Sequence, residues 1–148
     1  MTTARLPVTV RRAEAADLNR IIDIERACFS DNPWNLAEFE TYDCLVAEIE
    51  GQIAGFLVSR QLVGNRDGQG EREILNLAID PAWRRNGIAK ILLQQELRRG
   101  GSFFLEVRES NLAAQRLYES LHFRRVGKRP EYYSNPVETA IVMKTKEC

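Results

Sequence analysis

Residues 73 to 90 restrict the fold more than any other stretch of the chain. Glu73-Ile74-Leu75-Asn76-Leu77-Ala78-Ile79 is mostly apolar, with β-branched Ile74 and Ile79, and suits a buried strand. Asp80-Pro81 stops it, because proline has no N–H to give a ladder. Beyond Ala82-Trp83-Arg84-Arg85-Asn86-Gly87, apolar residues at Ile88, Ile91, Leu92, Leu93 and Leu97 predict a helix packed on a sheet. A helix start offers unpaired N–H donors and a partial positive charge. With Gly87 inside it and Arg84, Arg85 and Lys90 around it, this one suits an anion such as a pyrophosphate. A basic helix start with no ligand is the plain alternative.

The loop is not a Walker motif, since Gly-x-x-x-x-Gly-Lys-Ser/Thr is absent, nor the Gly-x-Gly-x-x-Gly dinucleotide fingerprint. Arg84-Arg85-Asn86-Gly87-Ile88-Ala89 instead resembles the Arg/Gln-x-x-Gly-x-Gly/Ala acetyl-coenzyme A signature of the GNAT N-acetyltransferase superfamily. Leu105-Glu106-Val107-Arg108-Glu109-Ser110-Asn111 and Leu117-Tyr118-Glu119-Ser120-Leu121-His122-Phe123 are similar to the second half of the bacterial RimI-type alanine N-acetyltransferases. Those enzymes acetylate the N-terminal amine of a ribosomal protein. The resemblance is good from Glu71 to Phe123 and thin before Cys44. Ala89 replaces a commoner glycine, and the helix from Gly87 to Arg99 is roughly a turn short. His122, where most members carry glycine, reads as a helix-end cap and not as a catalyst.

At 148 residues the chain is expected to form a single domain, 1–148. Lys+Arg and Asp+Glu both total 21, so no overall field recruits nucleic acid or an anionic membrane. Basic residues do gather at Arg84, Arg85, Lys90, Arg98 and Arg99, and again at Arg124, Arg125, Lys128 and Arg129, which points to a local anionic ligand. Cys28, Cys44 and Cys148 fit neither a zinc spacing nor a redox pair, so reduced thiols are expected. The single histidine argues against histidine triads and metal clusters. With no signal-peptide core and no run of membrane-spanning length, a cytoplasmic protein is expected.

Taken in order, Val8 to Arg11 reads as a strand, and Asp17 as the cap of a helix bearing Leu18, Ile21, Ile22 and Ile24. Phe29 to Trp34 is a break, after which Asn35 caps a short helix with Leu36, Phe39 and Tyr42. Cys44 to Glu48 and Ile53 to Val63 alternate as strands about a turn at Glu50-Gly51-Gln52. Gly64 to Gly70 reads as a mobile hairpin loop. Arg98-Arg99 would complete the helix's last turn, and Gly100-Gly101 end it. Phe103 to Val107 is the next buried strand, parallel to the strand from Glu73 because a helix joins them. Ser110 or Asn111 caps a helix carrying Ala114, Leu117, Tyr118 and Leu121. Arg124 to Lys128 and Thr139 to Lys144 finish as strands, with Pro130 to Pro136 an irregular loop between them.

The resemblance implies an α/β (α+β) GNAT-like acyl-CoA N-acyltransferase fold: a mostly antiparallel sheet, one splayed parallel strand pair, about four helices, and the cofactor in the cleft. It implies acetyl-CoA anchored by Arg84 through Lys90, with the pantetheine arm pairing along Leu77, Ala78 and Ile79, helped by a bulge in that strand. Glu106 is the implied base, facing the cleft between apolar walls with a proton affinity raised by burial; an ion pair with Arg108 or another surface cation is the alternative. Glu73 is the second candidate base, working through water. Tyr118 is the implied proton donor, or else a core tyrosine. Asn111 would contact cofactor, cap its helix, or both. Trp34, Tyr132 and Tyr133 resemble residues flanking the acceptor; two aromatic loop plugs are the alternative. No metal is implied. An α-amine with a pKa near 8 is roughly a tenth neutral at pH 7, against about one lysine in 2,500, so a single modest base serves a protein N-terminus. A small-metabolite amine is the other acceptor class, and a non-catalytic acyl-CoA-binding module the third reading.

Overall fold

A computed structural model describes residues 6–29, 33–62, 70–134 and 136–145. Its elements are β1 (Thr9–Arg12), α1 (Leu18–Cys28), α2 (Leu36–Thr41), β2 (Asp43–Ile49), β3 (Gln52–Gln61), β4 (Glu71–Ile79), α3 (Ile88–Leu97), β5 (Ser102–Arg108), α4 (Leu112–Ser120), β6 (Phe123–Tyr133) and β7 (Glu138–Thr145). Strands and helices follow in the order the sequence predicts. They form one mixed seven-stranded sheet, β1-β2-β3-β4-β5-β7-β6. The pair β4 and β5 is parallel over Glu71–Ile74 against Ser102–Leu105; the other described registers are antiparallel.

Two compact units divide the chain: Met1–Ser59 with Asn76–Glu96, and Arg60–Leu75 with Leu97–Cys148. In the first, α1 buries Ile21 and Ile24, and α3 buries Ile88, Leu92 and Leu93. Phe39 of α2 meets Phe56 of β3 edge-on at 5.3 Å. The β2–β3 register slips at Ala47/Glu48, leaving Ala54 unpaired as a bulge. Next to it a Cβ on Gly55 would stand 2.8 Å from the Ala78 carbonyl oxygen, so only glycine lets β3 approach β4 this closely there. The second unit builds its core from alternate residues of β5 and β7: Phe103, Leu105, Val107, Ile141 and Met143 are buried, whereas Phe104, Glu106 and Arg108 take the opposite face of β5.

Asn35 and Asn111 cap as expected, accepting from the N–H groups of Glu38 at 3.0 Å and Ala114 at 3.1 Å. Asp17 is the N-cap residue of α1, but its side chain makes no capping hydrogen bond to that helix. A 3₁₀ turn at Ala15–Asp17 precedes that helix, and the Asp17 carboxylate accepts from the Glu14 N–H at 2.7 Å while pairing with Arg11. α3 stops at Leu97, so Arg98 and Arg99 lie past it, ahead of Gly100 and Gly101 with φ of 79° and 83°. The Pro130–Pro136 segment is no irregular loop at its start, because β6 continues to Tyr133. Being the outermost strand of the sheet, β6 tolerates Pro130, and its register with β7 shifts between Arg129 and Tyr133, where Glu131 has φ 56°. The reading of Gly64 to Gln69 as a mobile loop lies outside the described residues.

Candidate active site

The anion-holding half belongs to the first unit. Asp80 ends β4 by accepting the Ala82 N–H at 2.9 Å, with Arg20 on its other oxygen. The Ala82 hydrogen bond, then Arg20, hold the Asp80 carboxyl below the usual range. Asn86 donates to the Trp83 and Arg84 carbonyls at 2.9 and 3.1 Å, so its amide locks the loop from within. Arg85 and Gly87 both take left-handed φ, 68° and 71°. Alternating handedness of this kind turns successive N–H groups toward one side, the arrangement that holds anions. Ile91 donates to Gly87, which leaves the N–H groups of Ile88, Ala89 and Lys90 with no helical acceptor. The side chains of Arg84, Arg85 and Lys90 are exposed, and Arg84 also reaches the Cys28 sulfur at 3.5 Å. This donor set of cations and free N–H groups fits a nucleotide pyrophosphate.

The β4–β5 ladder has four rungs and no register shift, and among the described residues none follows Ile74–Leu105, although the strands run on to Ile79 and Arg108. Leu77 and Ala78 lie beyond that last rung, in the first unit. The Ile79 carbonyl already accepts the Cys28 thiol at 3.3 Å. A bulge lies nearby in β3, at Ala54 on its pairing with β2.

The proton-handling groups belong to the second unit. Glu106 stands on the open face of β5, its side chain only 8% exposed. The wall beside it is not purely apolar. Arg129 places Nη1 3.2 Å from Oε1, whereas Oε2 has no hydrogen-bond partner among the described residues. Arg108, the neighbouring cation in sequence, goes elsewhere: it donates to the Ser134 and Pro136 carbonyls at 3.1 Å, meets Glu138 at 3.2 Å and covers the Tyr133 ring at 4.5 Å. Glu73 is gripped by Arg60 through Nε at 2.9 Å and Nη2 at 2.7 Å. Burial pushes the Tyr118 phenol up to about 12, so it stays protonated; its ring packs on Phe123 at 5.7 Å. Burial also raises Tyr132 and Tyr133, and the Glu106 carboxylate adds to both.

Thus Glu106, Glu73, Tyr132 and Tyr133 interact within one unit, with Arg129, Arg108 and Arg60 as their cations; the sequence reading weighed Arg108 for Glu106 and put Arg129 in a ligand cluster, and it passed over Arg60. The basic run in β6 faces polar and acidic side chains. Arg125 meets Glu119 and Gln115, Lys128 meets Glu109, and Arg129 meets Glu106, because β6 lies beside acidic residues distant in sequence. Trp34 packs on Phe39 at 5.4 Å and on Tyr42 at 5.8 Å, and its N–H donates to Glu25 at 2.8 Å. Glu25, buried in α1, also accepts from Asn76 at 2.8 Å; no motif signals it. His122 takes φ 72° at the end of α4 and donates its N–H to the Glu119 carbonyl, the helix-ending geometry that glycine usually supplies.

Residues 17–123 match the Acetyltransferase (GNAT) family. The N-alpha-acetyltransferase RimI of Mycobacterium tuberculosis is 35% identical over 143 residues, covering 90% of this chain and 89% of that one. An uncharacterized protein of Mycobacterium leprae is 33% identical over 97% of this chain, which spans 42% of its length. The crystal structure of the ribosomal-protein-S18-alanine N-acetyltransferase from Escherichia coli superposes with a TM-score of 0.81 at 30% identity, covering 94% of this chain and 93% of that one. This chain belongs to the GNAT acetyltransferase family, and it is an acetyl-CoA-dependent N-acetyltransferase.

Proposed function

We propose that this GNAT acetyltransferase modifies the α-amine at a protein N-terminus, with an alanine-starting ribosomal protein such as bS18 as the first acceptor to try. The observation that carries the reading is Glu106: one sparsely exposed carboxylate on the open face of β5, close to the Tyr132 and Tyr133 phenols. The relatives named for RimI and ribosomal-protein alanine acetylation support it. Acetyl-CoA, when bound, supplies the activated acetyl thioester. The chain's own groups do the rest.

Arg84, Arg85, Lys90 and the N–H groups from Gly87 to Lys90 hold the pyrophosphate, and the Leu77–Ile79 backbone aligns the arm. Glu106 takes the proton from the acceptor ammonium at its carboxylate. Tyr118 holds its hydroxyl proton for the sulfur as that gains charge. Asn111 caps α4 and thereby fixes the start of the helix that carries Tyr118. Glu73, tied to Arg60, is a reserve carboxylate in this scheme. No described helix is long and apolar enough to cross a membrane. A cytosolic site of action and no direct nucleic-acid contact go with the reading.

Turnover of acetyl-CoA with a peptide copying the bS18 N-terminus, measured against a panel of small primary amines and an internal-lysine peptide, is the test. The peptide N-terminus should give the highest kcat/KM. A small amine that outperforms it would move the function to metabolite acetylation. Parental rates in both Glu106→Gln and Tyr118→Phe would remove the mechanism.

A further inference from the structure

The arginines that meet carboxylates here are held in different ways. Arg60 brings two nitrogens to Glu73, Arg11 joins Asp17 and Glu48, and Arg108 spans two carbonyls, Glu138 and an aromatic ring. Paired donors of this sort fix a guanidinium in place. Arg129 differs. It gives Glu106 one contact of 3.2 Å, its other neighbour is the Tyr132 ring at 5.7 Å, and its side chain is 58% exposed against 8% for its partner. It leaves β6 where the ladder to β7 is irregular, just before Pro130 and the left-handed Glu131. A cation held so lightly can swing into water at little cost.

A carboxylate so little exposed still requires a positive neighbour to stay charged, since an unpaired ion out of water is strongly disfavoured. An acceptor amine reaches Glu106 mostly as an ammonium, and because Oε2 is buried the oxygen it competes for is Oε1, the one Arg129 holds. We propose that Arg129 is a resident stand-in for the acceptor's ammonium: it neutralises Glu106 while no acceptor is bound and must be displaced before an amine can reach that carboxylate. The inference rests on the reading of Glu106 as the base. Displacing the tethered guanidinium costs every amine the same free energy, so Arg129 sets acceptor affinity and leaves useful binding to acceptors with further contacts, such as a peptide's backbone. Tyr132, exposed beside Arg129, is the surface onto which the displaced guanidinium can stay stacked.

The test measures binding without turnover. Protein saturated with coenzyme A is titrated in a calorimeter with the alanine-starting peptide and, separately, with alanine amide. Arg129→Ala and Arg129→Gln should bind both more tightly, by roughly three- to tenfold, the scale of one ion pair with an exposed member. Both acceptors should gain by the same factor, and Arg129→Lys should keep the parental Kd. In turnover, KM should fall with kcat little changed. Unchanged or weaker binding in both neutral variants would overturn the proposal, as would a fall in kcat at constant KM, which marks an arginine that merely holds Glu106 still. In a Glu106→Gln background the gain from Arg129→Ala should vanish; a gain that persists means that Arg129 acts elsewhere. Glu106→Gln with parental turnover would sink the base assignment alone, since the binding gain is read without chemistry. Thermal melts of the Ala and Gln variants confirm that each is folded.

Discussion

The loop from Arg84 to Lys90 and the face of β5 around Glu106 meet opposite demands. The loop is exposed, shaped by two left-handed residues and pinned by one side-chain amide, that of Asn86. Around Glu106 the carboxylates are sheltered, and they meet cations from β3, β5 and β6 that are more exposed than they are. Gripping a doubly charged anion draws on backbone geometry and net positive charge, both of which survive in water. Moving a proton demands a group whose charge is controlled, and control requires shelter together with a counter-ion. The first kind of site can be written in consecutive residues. The second has to be assembled from distant ones.

If that contrast is right, damage to each region should leave the function of the other intact. The largest effect is expected from Glu106→Gln: kcat/KM falls by roughly 10²–10⁴-fold while calorimetry shows an unchanged Kd for coenzyme A. Gly87→Val should do the reverse. A branched residue forced to positive φ costs about 1–2 kcal/mol, which raises the coenzyme A Kd roughly tenfold and leaves the acid limb of the pH–rate profile where it was. Loss of tight binding in the first variant, or a displaced acid limb in the second, would break the contrast. Gly55→Ala asks whether the close β3–β4 approach shapes the anchoring unit; a drop of about 1–3 kcal/mol in denaturant melts is expected from overpacking against the Ala78 carbonyl.

The smallest effect concerns two carboxylates of the anchoring unit that respond oppositely to pH. Burial raises Glu25 above the ordinary glutamate value of 4.5, with the Trp34 and Asn76 hydrogen bonds working against it. Its folded form therefore binds protons more tightly than its unfolded form, so its contribution is complete below the unfolded value and is lost as pH rises through the folded one. Asp80 is lowered, so its contribution is present above its unfolded value and disappears as pH falls through the folded one. The stability gap between the parent and Glu25→Gln should consequently shrink from pH 4 to pH 7, read as the difference in Tm. A gap that widens would contradict the buried placement of Glu25.

Much of this could be read in advance from short-range patterns. The caps at Asn35 and Asn111, the alternation through Leu105-Glu106-Val107, the stop at Asp80-Pro81 and the left-handed end of α4 at His122 each depend on a few adjacent residues. Asp17 misled because its side chain has two uses, and Arg11 lies close enough in space to claim it. Pro130 misled because proline breaks interior strands but is allowed on an outermost one, and a residue's place in the sheet is not a local property. The basic run in β6 invited an anionic ligand until the sheet set it beside Glu119, Glu109 and Glu106.

By itself the sequence determined the order of elements, the cation-lined start of α3 and the place of Glu106 on the face of β5 opposite the core. Those depend on spacing, backbone propensity and side-chain chemistry, all of which act over a turn or a strand. Tertiary structure alone decided which cation each carboxylate meets: Arg129 for Glu106, 23 positions further along the chain, and Arg60 for Glu73. Electrostatic partnership falls off over a few ångströms of space and is indifferent to distance along the chain, so strand order and register had to be in place before a partner could be named.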